Sequence, residues 1–200
     1  MPPKRRTFVH PNVGGKAMTD INETNDQMKS YPFYKYLLNC FLLTLPILVW
    51  NIFLTNKLPK AFQPDIFWNK IPVFLTYGEN ISRAIVFALT LFMPLSIATP
   101  LQKKGLLLYL GGTLLYILSW LTLIYFSESQ WSNTLLGFMA PAYTPFFWLI
   151  GIGLIGDSFY FNLPYRRWLF ILTSIIFLVF HNLHTYTVVI IWKNFVRARF

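Results

Sequence analysis

Five predominantly apolar runs of about twenty residues constrain the fold of this chain most strongly. Arg83 is the one charged side chain within them. An α-helix rises about 1.5 Å per residue, so about twenty apolar residues cross a hydrocarbon core roughly 30 Å thick. A helix also satisfies its own backbone hydrogen bonds where water is absent. We therefore predict an all-α integral membrane protein, a small bundle of about five transmembrane helices, with spans at residues 36–55, 80–99, 106–126, 134–156 and 168–192.

The overall composition agrees with this class of protein. Hydrophobic residues make up 55% of the 200 residues and charged residues only 12%, whereas about a quarter of an ordinary soluble domain is charged. The net charge of +10 comes from Lys and Arg placed mostly at the ends of the apolar runs, as expected of flanks that contact anionic lipid headgroups. We therefore expect membrane lipids rather than nucleic acid as partners. The single cysteine, Cys40, is expected to be a small buried side chain.

The segments outside the runs have different characters. Residues 1–34 are polar and show no apolar periodicity, which predicts a disordered tail ahead of a polytopic membrane domain at 35–200. Residues 56–79 combine three prolines with scattered aromatic residues, and they are too polar to cross a bilayer. We interpret 56–79 as an interfacial loop with one short helix near residues 65–70.

Orientation follows from the distribution of Lys and Arg. A cytoplasmic N-terminus places ten of the 17 Lys and Arg residues on the inner side, which is the side that positive charge prefers. No cleavable signal peptide is apparent before the first run, so we expect that run to be retained as a span. We expect a multi-pass protein of the cell membrane, with a bacterial inner membrane favoured.

Prolines and small residues predict details within the runs. Pro46 should kink the first helix, and Pro141 with Pro145 should break the fourth. The adjacent Gly111 and Gly112 should allow a neighbouring helix to approach closely.

Ionisable groups at membrane depth are functional candidates. His181 and His184 are three residues apart in the fifth run, and Glu79 and Arg83 are four apart at the start of the second, so each pair shares one helix face. With a cytoplasmic N-terminus, both pairs lie in the outer half of the membrane. We add to these two pairs the polar residues at the proline break of the fourth run. The resulting candidate ligand pocket comprises Glu79, Arg83, Tyr143, Thr144, His181 and His184.

The histidine pair allows three interpretations: a shared metal ion, haem ligation, or hydrogen bonding between helices. The last is favoured, because metal sites usually need three or four ligands. We therefore predict no metal and no cofactor, and we expect a non-enzymatic component that binds lipids, other membrane proteins or a second copy of itself. Two alternatives remain: a small membrane oxidoreductase or metal- or haem-dependent enzyme using His181 and His184, and a small transporter with a proline-broken fourth helix. Catalytic residues are not identifiable from the sequence.

Overall fold

The computed structural model describes residues 36–161 and 164–197, and side chains only as far as residue 194. The described residues are helical and contain no β-strand; a single isolated bridge pairs Asn39 with Pro94. The elements below belong to the second of the two units into which the chain divides, Leu38–Phe200. The predicted tail at 1–34 and its cytoplasmic location lie outside the described residues.

Eight α-helices and three short 3-10 turns make up the described fold. The 3-10 turns are Cys40–Leu43, Thr55–Lys57 and Lys60–Phe62. The helices are α1 (Leu45–Leu54), α2 (Pro64–Phe67), α3 (Val73–Phe92), α4 (Pro100–Tyr125), α5 (Gln130–Asn133), α6 (Leu135–Tyr143), α7 (Pro145–Ile155) and α8 (Arg167–Arg197).

Four helical segments in the described residues are long and apolar enough to cross a membrane. They are Cys40–Lys57, Pro100–Tyr125, Leu135–Ile155 and Arg167–Asn194. They correspond to the first, third, fourth and fifth predicted runs. Helix α3 has 20 residues, but it is more polar than these four because it carries Glu79, Asn80 and Arg83.

The structure corrects the boundaries of the second predicted run. The helix occupies residues 73–92 rather than 80–99, so the last part of the predicted interfacial loop at 56–79 is its first two turns. It ends at Phe92 because Pro94 disfavours a helical conformation at the residue before it, and Met93 is extended. The predicted short helix of the loop is observed as α2.

The prolines act as helix starters as well as helix breakers. Pro46 lies in the first turn of α1, where its missing N–H costs no hydrogen bond, and the first run changes just before it from a 3-10 turn ending at Leu43 to α1. The predicted break of the fourth run is confirmed at Pro145, because α6 ends at Tyr143 and α7 begins at Pro145, whereas Pro141 lies inside α6. Helix α4 begins at Pro100 rather than at 106, since Thr99 and Gln102 form a reciprocal capping box there.

Helices α4 and α7 pack through glycines. A Cβ added at Gly112 would lie 2.5 Å from the backbone nitrogen of Trp148, and one added at Gly151 would lie 2.6 Å from that of Tyr109. Both distances are below any ordinary carbon contact, so the two backbones meet directly. A Cβ at Gly111 would meet no atom within 4 Å, so only one of the two adjacent glycines serves the predicted close approach.

The apolar segment Cys40–Lys57, which is the predicted first span, joins this pair through tyrosine hydroxyls. Tyr109 donates to the Leu43 carbonyl at 2.8 Å, and Tyr116 donates to Asn51 Oδ1 at 2.6 Å. Cys40 is fully buried in the adjoining core, as predicted.

Candidate functional site

Helices α3 and α8 bring two acid–base pairs together at one level of the fold. Glu79 and Arg83 lie one turn apart on α3, and His181 and His184 lie nearly one turn apart on α8. Glu79 and His184 are completely buried, whereas the side chains of Arg83 and His181 remain 33% and 20% exposed. We call these four residues the Glu79 cluster.

The carboxylate of Glu79 is the centre of the cluster. Its Oε1 accepts from Arg83 Nη2 and from His181 Nδ1, the latter at 2.9 Å. Its Oε2 lies 2.5 Å from His184 Nδ1. The other ring nitrogen of His184, Nε2, lies 2.9 Å from the backbone carbonyl of Phe67 in α2. One acidic side chain therefore links α3 to α8, and His184 extends the link to α2.

These contacts determine how many protons the cluster holds. A backbone carbonyl only accepts hydrogen bonds, so His184 Nε2 must carry a hydrogen. The contact between His184 Nδ1 and Glu79 Oε2 needs a second hydrogen, on either the nitrogen or the oxygen. In both arrangements the charges of Glu79 and His184 sum to zero. With a neutral His181, the charge of Arg83 then leaves the cluster with one net positive charge.

Aromatic rings enclose the cluster. The His184 ring stacks on Phe67 with centroids 4.4 Å apart and meets the edge of Trp68 at 4.6 Å. The Arg83 guanidinium lies 5.6 Å from the centroid of Phe177, whose other neighbour is the stacked ring of His181. Glu79 and His184, which are fully buried, are thus shielded from water, and hydrogen bonds are stronger in a medium of low polarity.

Four of the six residues of the candidate pocket come together, and two do not. Glu79, Arg83, His181 and His184 form the cluster, whereas the hydroxyl of Thr144 donates to Ala140 within its own turn at 2.8 Å. Within the described residues, neither Tyr143 nor Thr144 forms a hydrogen bond to the cluster. The broken fourth run is instead joined to α8 by Asn182, whose amide donates to the Ala142 carbonyl at 3.1 Å.

Sequence reasoning missed the contribution of α2. Phe67 and Trp68 lie in the aromatic stretch of the predicted interfacial loop, but no periodicity indicates that this loop folds back onto α8. The available signal was the density of aromatic residues around Pro64, which suggests burial without naming a partner.

The histidines bond to oxygen atoms rather than presenting two nitrogens to a metal. No group of three or more His, Cys, Asp and Glu side chains in the described part of the chain is arranged to hold a metal ion. Ligation through His184 would require the loss of its bond either to Glu79 or to Phe67.

A cavity of about 290 Å³ adjoins the cluster. Arg83 and His181 are the cluster residues that line it, and Thr185 follows His181 one turn later on α8. The remaining wall is mostly apolar and aromatic and comes from the first span, the 55–68 connection, α3, α4, α6, α7 and α8. Apolar walls with a few convergent polar groups are typical of small-molecule sites.

No protein-family model, curated protein or solved structure matches this chain. The cluster and the cavity are therefore the basis for the function proposed below.

Proposed function

We propose that this chain is a multi-pass membrane protein that binds a lipid-type molecule in the cavity beside the Glu79 cluster. The cavity itself carries the proposal: its wall is mostly apolar, and its polar groups Arg83 and His181 converge from two helices. A molecule with an alkyl chain and a polar head matches such a wall.

The surface of the described helices supports a membrane environment. Large apolar side chains are widely exposed, including Leu107 and Leu114 on α4 and Val179 on α8. Water-soluble monomers rarely expose contiguous apolar patches of this kind, whereas lipid chains solvate them without cost.

We propose that α3 is a fifth span. Its ionisable side chains, Glu79 and Arg83, are directed toward α8, while Phe74, Ile81 and Ile85 are exposed. Ionisable residues of membrane helices almost always face the bundle interior or a cavity.

Five spans place the two chain ends on opposite sides of the membrane. Reporter domains fused to each end test this: activity on opposite sides is expected, and activity on the same side would contradict the count.

The binding proposal is tested by filling the cavity. Leu48 lines it and is half-buried, whereas the next residue, Val49, is 51% exposed and does not line it. We expect Leu48→Trp to abolish binding of one dodecanol molecule per chain, measured by native mass spectrometry after release from zwitterionic nanodiscs. The matched variant Val49→Trp should bind dodecanol as the unmodified protein does. Equal binding by the two variants would rule out the cavity as the site.

A further inference from the structure

We infer that the cavity selects a single-chain amphiphile with an oxyanion head, a carboxylate or a phosphate, and that Arg83 and His181 hold the head. This rests on the proposed function and specifies its ligand. The volume of about 290 Å³ lies at the lower end of small-molecule sites, which favours one alkyl chain over two.

The charge of the cluster is the first support. Glu79 and His184 together are neutral, so the guanidinium of Arg83 remains uncompensated. The three other carboxylates in the described residues are not paired with it: Asp157 bonds to Gln102 and Ser158, Glu128 to Ser127, and Asp65 is exposed at the start of α2. Positive charge in an apolar setting is costly unless an anion accompanies it.

The donors that remain at the cavity are the second support. Arg83 uses one of its five N–H groups on Glu79, and its fork geometry suits two oxygens of a carboxylate or phosphate. His181 donates to Glu79 through Nδ1, and its Nε2 donates to an anionic head when the ring carries a hydrogen on both nitrogens. Within the described residues, neither side chain forms a hydrogen bond other than that to Glu79. Both line the cavity and both are partly exposed.

The buried half of the cluster orients these donors. Glu79 binds Arg83 and His181 through the same oxygen, and its other oxygen is held by His184. Because His184 is itself bonded to Phe67, the carboxylate has little freedom to turn. Glu79 and His184 are thus positioning residues, and the donors that contact the head are preorganised.

The apolar part of the wall suits an alkyl chain. Ile47 and Leu48 of α1, Val86 and Phe87 of α3, and Leu149 of α7 line the cavity with hydrocarbon side chains. A ligand with its head at Arg83 places its chain against these residues.

The test compares three probes of equal chain length: dodecanoate at a pH where it is ionised, dodecanol, and dodecyltrimethylammonium. Binding is followed in zwitterionic nanodiscs with dibrominated probes, which quench the cavity residues Trp68, Trp120 and Trp148. Charge-assisted hydrogen bonds should make dodecanoate bind at least about tenfold more tightly than dodecanol. Dodecyltrimethylammonium should bind most weakly.

Arg83→Gln should remove the preference for dodecanoate over dodecanol. The exposed Lys104→Gln, which removes the same charge elsewhere, should keep the preference. Arg83→Lys retains the positive charge but lacks the fork geometry of the guanidinium, so it should keep part of the preference for dodecanoate. Because this variant keeps the charge, the test does not depend on whether Arg83→Gln folds correctly.

The outcomes separate the two proposals. Equal binding of dodecanoate and dodecanol by the unmodified protein would overturn the oxyanion site and leave the lipid cavity standing, whereas binding of neither would overturn both. Tighter binding of the ammonium probe would also overturn the oxyanion site.

Adding an anionic phospholipid to the nanodiscs identifies the source of a confirmed ligand. Competition between the phospholipid and dodecanoate indicates a bilayer lipid, and the absence of competition indicates a free amphiphile.

Discussion

Backbone atoms meet at glycines where α4 packs on α7, whereas an acidic side chain joins α3 to α8, beside the packing of Gly78 against the ring of Phe180. At Gly112 and Gly151 the first pair approaches so closely that one added carbon would overlap the neighbouring main chain. The second pair is joined where Glu79 accepts hydrogen bonds from both histidines of α8. Both contacts lie within the same helical unit, yet they depend on different forces.

The difference separates a packing interface from a site. Glycine contacts gain their stability from dispersion between close backbones, and they leave no group for a ligand. The Glu79 cluster gains stability from charge pairing, and two of its residues, Arg83 and His181, also line a cavity. We therefore expect changes at the glycines of α4 to act mainly on stability, and changes in the cluster to act on both stability and binding.

The largest effect is expected for Glu79→Gln. Removing the carboxylate leaves Arg83 and two imidazoles without their anion, and breaking a buried charge pair costs about 3–5 kcal/mol. The free energy of unfolding in mixed micelles measures this loss. Glu128→Gln removes an exposed carboxylate and should change stability by less than about 0.5 kcal/mol. Similar losses in both variants would show that the cluster does not join α3 to α8 as described.

A smaller effect is expected at the glycine interface. Gly112→Ala places a methyl group against the backbone of Trp148, and overpacking of this kind costs about 1–3 kcal/mol. Gly111→Ala meets open space and should stabilise α4 by up to about 1 kcal/mol, because alanine favours a helix over glycine. The same unfolding measurement compares the two neighbours, and destabilisation by Gly111→Ala equal to that by Gly112→Ala would contradict the packing. Dodecanol binding should be unchanged in Gly111→Ala.

The smallest effect is expected for Tyr116→Phe. The substitution removes the hydrogen bond to Asn51, and bonds between membrane helices contribute on the order of 1 kcal/mol. Tyr125→Phe, at a residue that is 69% exposed, is the matched control and should have no measurable effect. If Tyr116→Phe lowered the free energy of unfolding as much as Glu79→Gln, the contrast between the two helix pairs would be wrong. Helix α4 would then depend on its polar contact with the Cys40–Lys57 segment rather than on backbone packing.

The candidate site was partly predictable, and the reason lies in helical spacing. Residues three or four apart share a helix face whatever the tertiary structure, so Glu79 with Arg83, and His181 with His184, could be paired within their own helices. The approach of the two pairs to each other followed only from the expected orientation of the spans. The inclusion of Tyr143 and Thr144 rested on polarity alone, and polarity does not indicate which neighbour a kinked segment faces.

Four helices long and apolar enough to cross a membrane, and the break in the fourth run, were determined by the sequence itself. Hydrophobic length and proline chemistry act within a single helix, so they are readable along the chain. The tertiary structure alone decided that the carbonyl of Phe67 holds His184, that Gly112 rather than Gly111 meets α7, and that Arg83 faces a cavity. These features depend on which helices are neighbours. An apolar helix face can pack against many different helices, so the sequence does not specify its neighbour and only the tertiary structure shows it.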